Sequence, residues 1–207
     1  NSIRDLSPSV LLSPSEIDFD GYKGNLDTWS GFGKWISLVN ENTEKIPESS
    51  INSMVNLTAG LSSNREKIKA VYEYMQNKTR YINITVGIGG FKPINAADVD
   101  RLGYGDCKAL SNYTRALLAA AGIKSYYTLI YAGDEKIQIE SDFPSNQFNH
   151  IILCVPDEND TIWLECTSQT IPFNFLGKFT SDRHALLITE DGGRLVKTPE
   201  FHRGENI

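Results

Sequence analysis

Apolar residues recur at helical spacing in three segments of the first 121 residues. Residues 28–45 carry aromatic and aliphatic side chains partly at this spacing. In residues 64–78 the apolar positions fall at i, i+3, i+4 and i+7, and a run rich in Ala and Leu over residues 107–121 ends at Gly122, a residue typical of the C′ position. We predict three helices, with Asn64 as the N-cap of the second and the second packed on the third.

From residue 125 onwards the pattern changes to short runs of β-branched and aromatic residues. Gly, Asp, Asn and Pro separate these runs, as is typical of strands joined by turns. The predicted strands cover residues 126–131, 148–155, 161–167, 185–189 and 194–197. Because the helices come first and the strands afterwards, we predict an α+β fold in which an antiparallel sheet packs on the third helix.

The strands on either side of residues 156–159 are predicted to form a hairpin. A pairing centred on that turn puts His150 directly opposite Glu165. Side chains alternate along a strand, so this register places His150 and Glu165 on one face of the sheet and Cys166 on the other.

Length and charge restrict the class of protein. A chain of 207 residues with 40% apolar content can form one substantial domain. The net charge of −6 and the absence of a basic stripe argue against a nucleic-acid partner, and no apolar run is long enough to predict a transmembrane span. Residues 7–24 are punctuated by Ser, Pro and Gly, and we predict an irregular lead-in or the last strand of a preceding domain there.

Three cysteines, an odd number, fit a reactive thiol better than a disulfide scaffold. The predicted hairpin puts Cys154 and Cys166 on opposite faces, so both are expected to be buried and unbridged. The sequence has no CxxC spacing, histidine cluster or EF-hand-like loop, so no metal is predicted.

Residues 87–93 are rich in glycine but lack the GxGxxG and Walker patterns, so they predict a loop and no cofactor. That loop forms either a wall of a binding cleft or simply a set of tight turns.

The candidate chemistry begins at Cys107, which follows a Gly-Asp pair at the start of the third predicted helix. Amide groups without intrahelical partners and the positive end of the helix dipole stabilise a thiolate at such a position. His150 and Glu165 follow on two predicted strands, so the chain supplies a thiol, an imidazole and a carboxylate in that order. This set is typical of acyl transfer by a cysteine nucleophile, and we expect the Cys107 sulfur to lie within hydrogen-bonding reach of His150.

Several short motifs together carry a family resemblance. In chain order they are Tyr81-Ile82-Asn83-Ile84, Gly87-Ile88-Gly89-Gly90-Phe91-Lys92-Pro93, Tyr104-Gly105-Asp106-Cys107-Lys108, Gly122-Ile123, Asn149-His150 and Trp163-Leu164-Glu165-Cys166-Thr167. By their order and spacing the chain resembles the transglutaminase-like superfamily over roughly residues 61–199. More narrowly, it resembles the bacterial multidomain branch in which a β-rich domain of unknown function precedes the transglutaminase-like core.

The resemblance implies a papain-like core whose triad is Cys107, His150 and Glu165, although most members of the superfamily have Asp at the third position. Tyr104 and Tyr81 are candidates for the second oxyanion donor beside the Cys107 amide. The implied reaction is acyl transfer, or hydrolysis of an amide or peptide, through a thioester on Cys107. A protein or peptide is the implied substrate.

The resemblance also implies a domain organisation. Residues 61–199 form the transglutaminase-like domain, residues 1–60 a lead-in and helical segment packed on it, and residues 200–207 a tail or linker. The abrupt ends of the sequence are typical of a piece of a longer chain, so neighbouring domains are expected. A periplasmic or cell-envelope location in a bacterium is implied by the resemblance alone.

Two other interpretations stay open. The same fold can serve as a catalytically silent module that binds an extended peptide or a cell-wall component. A papain-type or cell-wall peptidase shares the order of Cys and His but lacks this set of motifs.

Overall fold

The structure is a computed structural model and describes residues 10–158 and 160–200. The predicted tail therefore lies outside the described residues except for Glu200, as do the start of the predicted lead-in and residue 159 of the predicted turn. The described residues combine helices with an antiparallel sheet, which confirms the predicted α+β class.

All but one of the helices precede the sheet. In chain order they are α1 (Trp29–Asn40), α2 (Glu48–Thr58), α3 (Asn64–Lys78), α4 (Ala96–Leu102), α5 (Cys107–Ala120) and α6 (Gly177–Thr180), with a 3₁₀ helix at Gly87–Gly90. The predicted second and third helices are confirmed as α3 and α5, and α3 packs on α5. The first predicted helix ends at Asn40, earlier than expected, because the chain turns there and Asn42 has a positive φ of 62°. Sequence reasoning missed α2 and α4, which bury few apolar residues, Met54 and Val99 among them.

The strands form one large sheet and two small ladders. They are β1 (Glu16–Phe19), β2 (Tyr22–Asn25), β3 (Arg80–Tyr81), β4 (Tyr104–Gly105), β5 (Tyr126–Ile130), β6 (His150–Asp157), β7 (Asp160–Leu164), β8 (His184–Thr189) and β9 (Gly192–Lys197). The large sheet has the order β7-β6-β5-β8-β9, and all its neighbouring strands are antiparallel. The predicted lead-in contains the β1–β2 hairpin, so part of it is regular structure.

One face of the large sheet carries the helices. The helix α5 packs on β5 and β6, and α1 packs on β8 and β9. The approach of α1 to β9 is close enough to require glycine, because a Cβ on Gly33 would lie 1.9 Å from the Gly193 nitrogen. The opposite face holds a smaller buried cluster that includes Ile152, Cys154 and Trp163. This layering sets the start of α5 against the start of β6.

The predicted hairpin register is wrong by two residues. Asp157 pairs with Asp160 and Cys154 pairs with Trp163, so the loop is shorter than the four-residue turn that we predicted. The positive φ of Glu158, 44°, fits a tight turn that reverses the chain within this shorter loop. A shift by two keeps every side chain on its predicted face, whereas a shift by one would have moved Glu165 away from the face of His150.

The predicted cap of α3 is also wrong by one residue. Ser63, not Asn64, is the N-cap: its hydroxyl accepts from the Glu66 N–H at 3.2 Å, and the Glu66 carboxylate accepts from the Ser63 N–H at 3.0 Å. This reciprocal pair is a capping box, and the Ser-x-x-Glu spacing was the signal in the sequence. The predicted C′ residue of α5 is confirmed, since Gly122 has a φ of 77°.

None of the helices that the structure describes has the length and apolarity needed to cross a membrane.

Candidate active site

The start of α5 presents Cys107 with free amide groups. Asp106 is the N-cap, and its Oδ1 accepts from the Ala109 N–H at 3.0 Å. Cys107 and Lys108 are the first two helical residues, so their N–H groups have no acceptor within the helix. Cys107 is 9% exposed and belongs to the apolar cluster under α1. A helix N-terminus therefore faces this thiol, as its position in the sequence predicted.

The short β3–β4 ladder brings Tyr81 beside the helix start. Tyr81 pairs with Gly105, and the Ile82 N–H donates to the Gly105 carbonyl at 2.9 Å. Tyr81 lines the same cleft as Cys107. Tyr104 is not among the described residues that line this cleft; the Arg80 guanidinium lies over its ring. Of the two oxyanion candidates, the structure thus brings only Tyr81 to the cysteine.

His150 is the first residue of β6, and the side chain of Asn149 anchors the chain just before it. The Asn149 Oδ1 accepts from the Ala132 N–H at 2.6 Å, and its Nδ2 donates to the Ala132 carbonyl at 3.0 Å. The Phe179 ring and the imidazole pack edge to face, with their centroids 5.5 Å apart. These contacts position the His150 ring.

Glu165 follows the end of β7 and meets His150 directly. The His150 Nε2 and the Glu165 Oε2 are 2.8 Å apart, and Glu165 is only 2% exposed. The other carboxylate oxygen, Oε1, accepts from the Thr167 N–H at 3.0 Å and from the Thr167 hydroxyl at 2.6 Å. Glu165 is therefore fixed at both oxygens, and a glutamate in this position reaches the imidazole.

The electrostatics of the pair favour a charged histidine. Burial lowers the pKa of His150, but hydrogen bonds with Cys107 and Glu165 and the charges of both groups outweigh it and raise the pKa to about 9. Burial likewise raises the pKa of Glu165, yet the bonds to His150 and Thr167 hold it below its usual value. At neutral pH the site therefore holds an imidazolium next to a carboxylate.

The stability of the protein is expected to depend on pH through His150. The folded state holds this proton more tightly than the unfolded chain does. The protonated His150 therefore stabilises the fold fully below pH 6.5, as long as Glu165 is ionised, and ceases to do so as the pH rises through about 9. Urea unfolding of the wild type should show this loss across that interval. The His150→Gln variant should show a flatter profile, and equal slopes in the two proteins would contradict the assigned pKa.

Cys107 and His150 share a cleft with a volume of about 280 Å³. Gly90 and Phe91 also line it, so the glycine-rich segment does contribute to a wall of the cleft. A larger groove of about 810 Å³ lies between α1 and α5, but it contains none of the three candidate catalytic residues.

Two further features were missed by sequence reasoning. Thr167, which holds the second oxygen of Glu165, stood in a quoted motif without an assigned role. Lys108 is 6% exposed and forms a buried ion pair with Asp106. Residues two apart do not face each other on a helix, so the sequence contained no signal for this pair. It forms because Asp106 is outside the helix, with the extended ψ of an N-cap residue.

The remaining cysteines are free and buried, as predicted. Cys154 lies in the cluster around Trp163 and Cys166 in the cluster under α5, so they face opposite sides of the sheet. Burial raises the pKa of each thiol to about 12. Within residues 10–158 and 160–200, no group of three or more His, Cys, Asp or Glu side chains is arranged to hold a metal ion.

Comparison with known proteins identifies the fold. No protein-family model matches the chain, and no curated protein matches it. A crystal structure from Parabacteroides distasonis, described as a putative protease, aligns with a TM-score of 0.61 at 16% identity, over 81% of this chain and 31% of that one. A structure from Cytophaga hutchinsonii, described as a putative cysteine protease, aligns with a TM-score of 0.44 at 16% identity, over 58% of this chain and 37% of that one. The first alignment shows a shared fold, and this chain spans about a third of the length of each of the two.

Proposed function

We propose that this protein is a cysteine-dependent acyltransferase or amide hydrolase that works through a thioester on Cys107. The observation that carries the proposal is the buried His150–Glu165 pair, whose imidazole lines the same cleft as Cys107 at the N-terminus of α5. Nucleophilic acyl transfer requires a thiol and an imidazole that share a cleft, and a carboxylate that orients the imidazole. The general resemblance to the transglutaminase-like superfamily agrees with this chemistry.

Acylation begins with the Cys107 thiolate and the His150 imidazolium. The thiolate attacks the carbonyl carbon of an amide and forms a tetrahedral intermediate. Because Glu165 occupies the His150 Nε2, the other ring nitrogen is the one available to the sulfur and the substrate. The imidazolium donates its proton to the departing amine, the C–N bond breaks, and the acyl group remains on sulfur as a thioester.

Deacylation reverses these roles. The neutral His150 takes a proton from water or from an acceptor amine, which attacks the thioester carbonyl, and the Cys107 thiolate leaves. Water yields amide hydrolysis, and an amine yields crosslinking. Glu165 stabilises the imidazolium that forms again in this step.

The oxyanion has two candidate donors. The Cys107 N–H has no acceptor within the helix, and the Tyr81 hydroxyl belongs to the same cleft. Burial raises the pKa of Tyr81, and the negative charges of Cys107, Asp106 and Glu165 raise it further. The phenol therefore keeps its proton at neutral pH and can donate it in a hydrogen bond.

Alkylation by iodoacetamide tests the nucleophile. We expect Cys107 to react at pH 7 in the folded protein while Cys154 and Cys166, whose pKa values are about 12, stay unmodified. The His150→Ala variant should react at least about tenfold more slowly at Cys107, because the thiolate loses its cationic partner. Peptide mass spectrometry measures all three sites at once, so the two buried cysteines are internal controls.

An alkylation rate at Cys107 that is unaffected by His150→Ala would reject the catalytic proposal. The catalytically silent binding module would then be the preferred function.

Replacing Glu165 with glutamine should lower turnover while the protein stays folded. Gln keeps the size of the side chain but loses the charge that stabilises the imidazolium, so we expect turnover to fall by about 10² or more. Thr167→Val is the matched variant on the other side of Glu165; it removes only the hydroxyl donor and should lower turnover less. Steady-state kinetics with circular dichroism measure both effects, and unchanged turnover in Glu165→Gln would remove Glu165 from the triad.

The domain boundaries at residues 60/61 and 199/200, the neighbouring domains and the periplasmic or envelope location stay predictions. A peptide or protein substrate is part of the proposal, and either water or an amine can be the acceptor.

A further inference from the structure

The floor of the cleft beside Cys107 is apolar. Ile36, Tyr127, Leu129, Phe148 and Ile151 line the cleft, are buried, and belong to the same hydrophobic cluster as Cys107. They come from α1, β5, the segment before β6, and β6 itself. A substrate group that enters the cleft therefore meets hydrocarbon and aromatic surface, which we call the apolar floor.

Two tryptophan rings pack against aromatic residues that line the cleft. The Phe91 and Trp35 rings pack edge to face with their centroids 5.0 Å apart, and the centroids of the Phe148 and Trp29 rings are 5.8 Å apart. Trp35 is itself fixed by a hydrogen bond from its indole N–H to the Tyr22 carbonyl at 3.0 Å. Because these rings are supported from behind, the cleft is formed before any substrate binds.

The cleft offers no partner for a charged substrate side chain. Lys108 is the one Lys, Arg, Asp or Glu side chain among the described residues that line it. Its ammonium group is already paired with the buried Asp106 carboxylate. A carboxylate or ammonium brought onto the apolar floor would lose its water without a compensating partner, which is costly.

The rim differs from the floor. Asn83, Thr85 and Asn146 line the cleft and are exposed. Amide and hydroxyl groups in this position suit hydrogen bonds to the backbone of a peptide that lies across the opening. The volume of about 280 Å³ is at the lower limit for small-molecule pockets, so it accommodates the side chain of one residue rather than a longer segment.

We infer that the acyl donor is a peptide amide whose residue at the scissile carbonyl carries an uncharged apolar side chain of the size of Leu, Met or Phe. This inference rests on the proposed function of Cys107. The apolar floor receives that side chain, and the rim holds the peptide backbone.

Matched affinity probes test the inference. N-acetylated Leu, Glu and Lys chloromethyl ketones differ only in the side chain, and each alkylates a reactive cysteine by displacement of chloride by the thiolate. Their rates at Cys107, divided by the iodoacetamide rate of the same protein, report recognition independently of thiol reactivity. We expect the normalised rate for Leu to exceed those for Glu and Lys by about tenfold or more.

Two variants locate the recognition. Phe91→Ala removes part of the cleft wall. It should lower the Leu rate, divided by the iodoacetamide rate of the same variant, toward the Glu and Lys rates. Val86→Ala is the control, because Val86 is 87% exposed in the same loop and does not line the cleft. It should leave all the rates unchanged.

The outcomes distinguish this inference from the proposed function. Three results would overturn the substrate class alone, provided that iodoacetamide still labels Cys107 in a His150-dependent way. They are equal normalised rates for the three probes, a preference for Glu or Lys, and no reaction with any probe. Iodoacetamide labelling that does not depend on His150 would overturn the proposed function and the substrate class together.

Discussion

Replacing Cys107 with alanine is expected to abolish turnover and leave the protein folded. The substitution removes the sulfur that forms the thioester, so no acyl intermediate can arise. It keeps the amide at the start of α5 and introduces the residue with the highest helix propensity, so the free energy of unfolding should change by less than about 1 kcal/mol. Acylation, followed by mass spectrometry, and thermal unfolding measure the two effects.

The matched control is Cys154→Ala, which removes a sulfur from a buried site on the opposite face of the sheet. It should retain turnover. With a Leu-containing peptide amide as donor, release of the free acid or transfer to an added amine decides whether water or an amine is the acceptor. Turnover that persists in Cys107→Ala would exclude the thioester mechanism.

Replacing Trp163 with alanine is expected to cause the largest loss of stability. Trp163 is 4% exposed in β7 and belongs to the cluster with Ile152, Cys154 and Leu187. Removing its ring leaves a void that neighbours on a hydrogen-bonded sheet fill only in part, so we expect a loss of about 3–5 kcal/mol. Denaturant unfolding measures it, and the variant should also lose activity because Glu165 follows the same strand.

The control for this prediction is Val86→Ala, which removes apolar atoms from an exposed position and should change stability by less than about 0.5 kcal/mol. If Trp163→Ala proved nearly neutral and Cys107→Ala strongly destabilising, Cys107 would be a packing residue and the proposed mechanism would lose its nucleophile.

His150 and Glu165 are in contact, as predicted, although the predicted register of their hairpin is wrong. We predicted that His150 lies opposite Glu165, whereas the observed pairing is shifted by two residues. Glu165 lies beyond the last paired residue, Leu164, and the contact with His150 is made by side chains across the end of the ladder. Because strand faces have a period of two, parity was enough to put both residues on one face.

The local pattern of the sequence by itself determined the α+β class, the helix that begins at Cys107 and the common face of His150 and Glu165. These features follow from short-range rules, since hydrophobic periodicity and capping residues act over a few positions along the chain. The order of thiol, imidazole and carboxylate could be read from the same segments. The predicted N-cap of α3, Asn64, was one residue away from the observed cap, Ser63. The predicted end of α1 was a few residues beyond the observed end at Asn40.

Only the tertiary structure decided how the site is completed. The Asp106–Lys108 ion pair depends on the backbone dihedral angles of Asp106 as an N-cap residue. The chain turns after β7, and this turn lets the Thr167 hydroxyl donate a hydrogen bond to Glu165. The apolar floor joins Ile36 of α1 to Phe148, residues that are distant in the chain and meet because α1 and α5 pack on the same face of the sheet. Long-range packing of this kind has no periodic signature in the sequence, because it depends on how whole elements are layered.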